Sequence, residues 1–155
     1  QSDVYLVKTD ANGNKIWEKT LGGDKNDYGY SIQQTADKGY IISGFSKSFG
    51  TIKFTDSFGN ILTAAGGKPY LIKTDSNGNK IWERIFEGGR DKGWTTIWPG
   101  GMNSVRQTSD GGYIMAAGVK RTHDIPKSPI EPLTMVGGRE AEDAYIVKTD
   151  ANGNR

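Results

Sequence analysis

The sequence predicts an all-β chain built from tandem antiparallel units of four strands. Three observations carry this expectation. One stretch occurs three times, as DVYLVKTDANGNKIW at Asp3 to Trp17, KPYLIKTDSNGNKIW at Lys68 to Trp82, and DAYIVKTDANGN at Asp143 to Asn154. Between the copies, two further segments recur in the same order. Ser31-Ile32-Gln33-Gln34-Thr35 matches Ser104-Val105-Arg106-Gln107-Thr108, and Asp37 to Ile42 matches Asp110 to Met115. The composition suits short strands and many turns: 22 of 155 residues are glycine, about twice the usual share, and only 34% are hydrophobic.

Each element has a local reason. Val4 to Thr9 is β-branched, aromatic and aliphatic with a rough period of two, which reads as a strand. Asp10-Ala11-Asn12-Gly13-Asn14 is turn chemistry, since Asn and Gly tolerate positive φ and Asp can bond its own backbone two residues on. Lys15 to Lys19 alternates charged and apolar residues and reads as the return strand. The same hairpin is expected at Tyr70 to Glu83, and a fainter one around Thr55 to Leu62, which keeps T-D-x-x-G-N. After a Gly- and Asp-rich corner at Thr20 to Asp27, Tyr28 to Thr35 alternates as a strand, Ala36 to Gly39 turns, and Tyr40 to Phe45 is an apolar strand expected to be buried.

The spacing sets the organisation. Tyr5 to Tyr70 spans 65 positions and Tyr70 to Tyr145 spans 75. From Gly23 to Ser31 is 8 positions and from Gly89 to Ser104 is 15, so seven residues are inserted, within Trp94 to Met102. A second insertion runs from about Val119 to Glu142. Without insertions the unit is about 45–50 residues with four strands, which is the period of a β-propeller blade. The expected division is a hairpin at 1–19 completing one unit, a unit at 20–86 with an inserted hairpin near 50–65, and a unit at 87–155 with insertions near 94–102 and 119–142. A lone blade cannot cover both of its faces, so neighbours are expected. The chain opens on Gln1 and stops at Arg155, where the other copies continue into Lys-Ile-Trp. This leads us to expect a processed piece or an ordered segment of a longer array, with a boundary of no biological meaning as the alternative.

Bulk properties narrow the functions. A net charge of +2 with interspersed signs argues against a nucleic-acid surface. No apolar run reaches the ~18 residues of a membrane helix. Without cysteine and with a single histidine, the chain is a poor candidate for zinc, iron–sulfur or haem ligation.

The run LGGDKNDYGYSIQQTADKGYIISGFS, taken with the D-x-Y-L-V-K-T-D-x-N-G-N-x-x-W hairpin, resembles the bacterial and archaeal beta-propeller repeat proteins of the SBBP group. The resemblance covers roughly two-thirds of the chain and leaves out both long insertions. It implies propeller blades in a large secreted or surface-attached protein, and its pattern marks scaffold positions, so it carries over no catalytic residues. Gly93-Trp94 begins an inserted loop where the pattern has Tyr-Gly-Tyr.

Candidates for chemistry are few. Asp10, Asn12 and Asn14, with Asp75, Asn77 and Asn79, set oxygen ligands at alternate positions, as calcium loops do. An EF-hand needs Gly at the sixth position and a later Glu, whereas Lys15 and Lys80 stand there, so a plain turn is the preferred reading. The corner Asp24-Lys25-Asn26-Asp27 is a weaker acidic candidate. Trp94 and Trp98 could stack on a sugar face, or plug their loop onto a sheet edge. Trp17 and Trp82 recur and are read as packing residues. His123-Asp124 with Arg121 lies in a Pro-rich loop with no nucleophile beside it, and Glu131, Glu140, Glu142 and Asp143 are scattered carboxylates. Gly22-Gly23 and Gly137-Gly138 lead into no helical pattern, so a phosphate loop is not expected.

The expectation is therefore a structural or binding module, not an enzyme, without cofactor, in an extracellular or cell-surface protein. Its partners would be other blades of a longer chain or copies of itself, as a homo-oligomer or polymer, because unpaired strand edges at the chain ends invite pairing. A carbohydrate-binding module using Trp94 and Trp98 is the alternative, and a propeller-scaffold hydrolase or lyase stands third.

Overall fold

The computed structural model describes residues 1–49, 51–55, 61–65, 67–86, 96–97, 104–121 and 141–155. The protein is all-β. Its strands are β1 (Val4–Thr9), β2 (Lys15–Leu21), β3 (Asp27–Gln34), β4 (Tyr40–Ser46), β5 (Thr51–Thr55), β6 (Ile61–Ala65), β7 (Lys68–Thr74), β8 (Lys80–Ile85), β9 (Thr96–Ile97), β10 (Ser104–Gln107), β11 (Tyr113–Arg121) and β12 (Ala141–Thr149). Every pairing among the described residues is antiparallel, and no helix occurs among them. The strands form an N-terminal hairpin β1-β2, a central sheet in the order β3-β4-β7-β8, a C-terminal sheet β10-β11-β12 with β9 also on β11, and a separate hairpin β5-β6.

Side-chain alternation builds the layers. In the N-terminal hairpin, Val4 and Leu6 point to one side and are buried, while Tyr5 and Val7 point to the other and are exposed. Val4 and Leu6 join Ile42, Tyr70 and Ile72 of the central sheet in one apolar cluster, with Trp17, Leu21, Tyr40 and Ile85 packed against it. The intervening residues Ile41 and Leu71, with Phe86, face the other way. They join Val105, Tyr113, Met115, Ala117 and Val147 of the C-terminal sheet, with Trp82 alongside. The two middle strands of the central sheet are thus covered on both faces, which is why β4 and β7 each carry six consecutive buried residues. Each fully buried aliphatic side chain in these clusters contributes about 1.5–3 kcal/mol.

Three boundaries differ from the sequence expectation. Strand β2 runs to Leu21 rather than ending at Lys19, because Leu21 pairs with Val4 and packs on the first cluster. Strands β11 and β12 continue into the stretch expected as an insertion, through the pairs Val119↔Asp143, Lys120↔Glu142 and Arg121↔Ala141. The ladder there satisfies backbone groups that a loop would leave to solvent.

The third difference concerns the seven-residue insertion, which is divided around β9. Ile97 pairs with Val119, the position matching Ser46, which Asp27 pairs in the central sheet. Gly23 to Asp27 spans four positions and Gly89 to Ile97 spans eight, so four of the extra residues precede Ile97 and three follow it. Where β3 is one strand with a bulge between Gly29 and Ser31, the C-terminal sheet has two short strands on the same edge.

Candidate functional site

The three Asp-x-Asn-Gly-Asn turns share one geometry. Asp10 Oδ1 accepts the backbone N–H groups of Asn12 and Asn14, both at 2.9 Å, and Oδ2 accepts the Asn14 side-chain amide at 2.9 Å. Asp75 does the same with Asn77 and Asn79, and Asp150 with Asn152 and Asn154. Gly13, Gly78 and Gly153 supply the positive φ of each turn, at 85°, 77° and 78°. The Asn side chains, then the backbone N–H groups, hold these aspartates below the usual carboxylate range. Both carboxylate oxygens are therefore engaged by the turn itself. Among the described residues, no group of three or more His, Cys, Asp or Glu is placed to hold a metal ion.

The corner at Asp24 to Asp27 is also a structural tie. Asp27 is buried, and its Oδ2 accepts the Gly23 N–H and the Ser48 hydroxyl, both at 2.7 Å. Asn26 accepts the Ser2 N–H through its side chain, and the Asp27 N–H donates to the Ser2 carbonyl. Trp94, Trp98, His123, Asp124, Glu131 and Glu140 lie outside the described residues. Arg121 ends β11, and Glu142 and Asp143 lie near the start of β12.

The tryptophans at Trp17 and Trp82 occupy the contacts between layers. A Cβ placed on Gly78 would stand 2.8 Å from Cζ3 of Trp17, and one on Gly153 would stand 2.8 Å from Cζ3 of Trp82. Each indole also meets a tyrosine of the next sheet edge to face: Trp17 with Tyr40 at 5.7 Å between centroids, and Trp82 with Tyr113 at 5.8 Å. The Arg84 guanidinium lies 5.4 Å from the Trp82 ring. After the Asn and backbone donors, Lys19 adds to the lowering of Asp75, and Arg84 to that of Asp150. The second and third turns are thus each seated on the hairpin before them through an indole and a nearby cation.

Polar groups seal the same contacts. Edge strand β10 would leave N–H groups unpaired, and Val105 and Gln107 donate theirs to Ser31 Oγ at 3.3 Å and Gln33 Oε1 at 2.7 Å of β3. Gln107 Oε1 accepts the Ala36 N–H at 2.8 Å. Lys73, buried at 4% exposure, donates to Asp37 Oδ2 at 2.8 Å and to the Thr74 carbonyl. Lys73, followed by the Thr35 hydroxyl, holds the Asp37 carboxyl down to about 2. Lys148 and Asp110 repeat this pair at 2.8 Å in the C-terminal sheet, where the lysine side chain is 44% exposed.

The outer faces carry apolar residues at positions that are covered inside the molecule. Tyr5 is 61% exposed and its counterpart Tyr70 is 1% exposed; Ile146 is 61% exposed and its counterpart Leu71 is fully buried. Val7 and Ile114 are likewise exposed, whereas Ile72 and Ile41 are buried. Sequence reasoning did not single out these four residues, although their place in the recurring strands was readable. No model of a known protein family matches the chain, and no curated protein matches its sequence.

Proposed function

We propose that this chain is a structural packing module of an extracellular or cell-surface protein, its sheets stacked in the manner of propeller blades. Its work is to hold further units of the same kind against its outer faces. The observation that carries the reading is the exposure of Tyr5, Val7, Ile114 and Ile146 at positions whose internal counterparts are buried between sheets. Exposed apolar residues whose counterparts are packed between sheets favour these two faces as association surfaces. The likeness of LGGDKNDYGYSIQQTADKGYIISGFS to surface-attached beta-propeller repeat proteins supports the cellular placement.

The test is the mass of the native particle, by light scattering on material from its natural source. The expected result is a particle several times the 16.9 kDa of this chain, or a fibre. A native particle of 16.9 kDa would overturn the reading.

A further inference from the structure

We propose that the outer faces of two copies of this chain mate directly, the Tyr5/Val7 face of one on the Ile114/Ile146 face of the next, in a head-to-tail series. The proposal rests on the packing-module reading and specifies its partner and its surfaces.

The geometry comes from contacts the chain already makes twice. Call the side of each layer that carries Tyr5 or Tyr70 its front, and the side that carries Leu6, Leu71 or Ile146 its back. The back of the N-terminal hairpin, through Val4 and Leu6, meets the front of the central sheet, through Tyr70 and Ile72. The back of the central sheet, through Ile41 and Leu71, meets the front of the C-terminal sheet, through Val105, Met115 and Val147. Both internal contacts are front on back. The order leaves one front uncovered, at Tyr5 and Val7, and one back uncovered, at Ile114 and Ile146.

These two surfaces have the chemistry of mates. On the front, Val7 stands directly across from Glu18, and the Tyr5 hydroxyl donates to Glu18 Oε2 at 2.5 Å, which pins the ring on that face. On the back, Ile146 is followed two residues on by Lys148, which holds Asp110. Inside the molecule the matching pair, Lys73 with Asp37, is covered by the next sheet, and its lysine side chain is 5% exposed against 44% for Lys148. Covering the back of the C-terminal sheet with a second molecule would complete for Lys148 the environment that Lys73 already has. A front-on-back contact between molecules is heterologous, so it continues from copy to copy into a closed ring or an open filament.

The experiment uses the purified 155-residue chain with Tyr5→Arg and Ile146→Glu. Both side chains are largely exposed, and each new charge lies near an opposite one, Glu18 or Lys148, so the fold is retained; circular dichroism checks it. Val7→Arg and Ile114→Glu form a second pair should either variant misfold. Sedimentation velocity across a concentration series should show wild type associating beyond a dimer and each variant alone staying monomeric. An equimolar mixture of the two should form a dimer and nothing larger, because one intact front meets one intact back. Monomeric wild type, variants that associate like wild type, or a mixture that stays monomeric or grows past a dimer would each overturn the proposal. A monomeric wild-type chain leaves the packing-module reading to the native particle mass, so the two failures are separable.

Discussion

Gly153 lies so close over the indole of Trp82 that a Cβ at that position would come within 2.8 Å of the ring. Gly78 has the same relation to Trp17, while no atom of the described residues lies within 4 Å of the corresponding point on Gly13. The three glycines share their turn geometry, so they form an internal control. Replacement by Ala should cost Gly13 only the strain of positive φ, about 1 kcal/mol. Gly78→Ala and Gly153→Ala should cost that plus the displacement of an indole, roughly 2–4 kcal/mol in all. Urea unfolding of the three variants checks this. Equal losses at all three positions would mean that the seat on the indole contributes nothing.

The turn joining β3 to β4 contains Lys38 at φ 65°, where the matching turn between β10 and β11 has Gly111 at φ 81°. A side chain in the left-handed region is strained, and glycine relieves the strain while adding disorder to the unfolded chain. Lys38→Gly should therefore raise stability by about 0.5–1 kcal/mol. A fall in the thermal midpoint would show that the Lys38 side chain contributes more than its backbone strain costs.

Asp37 has its carboxyl held down to about 2 by Lys73 first and the Thr35 hydroxyl second. A depressed carboxyl contributes stability that is fully present above its unfolded value near 3.9 and disappears as pH falls through the folded value. Stability should thus decline between about pH 4 and pH 2, and Asp37→Asn should flatten that part of the profile. Denaturant midpoints from pH 6 to pH 2 measure it. An unchanged slope in the variant would mean that the ion pair makes no difference to folding.

Tyr70 is buried with its hydroxyl unmatched by any group among the described residues, whereas the hydroxyl of its counterpart Tyr5 is bonded to Glu18. Removing a hydroxyl without a partner among the described residues loses no hydrogen bond made there and relieves a desolvation cost. Tyr70→Phe should leave stability within about 0.5 kcal/mol of wild type or raise it by about 1 kcal/mol. A loss above about 1.5 kcal/mol, read from urea unfolding, would show that the hydroxyl is bonded in solution.

Much of the local structure was readable from residue order. Asp10, Asn12, Gly13 and Asn14 build their turn from donors and acceptors within five consecutive residues, so the same letters at Asp75 and Asp150 produce the same turn. The apolar run at Tyr40 to Phe45 announced a covered strand. The continuation of β11 and β12 through Arg121 and Ala141 was not readable, because cross-strand pairing joins residues some twenty positions apart in sequence. Nor was the division of the inserted segment by β9, since Thr96-Ile97 is too short to show periodicity.

The hairpin follows from residue order alone: its turn, the alternation of its strands and the recurrence of both. Alternation decides that Tyr5 and Leu6 point to opposite sides, and likewise Tyr70 and Leu71. Which of those sides is covered depends on how the layers stack. Tyr5 and Tyr70 occupy equivalent places in nearly identical strands, yet one is open to solvent and the other is buried. Lys73 and Lys148 differ in the same way. The reason is physical: side-chain direction follows from the strand's own backbone, but burial depends on the layer laid against it, and that layer is supplied by a distant part of the chain.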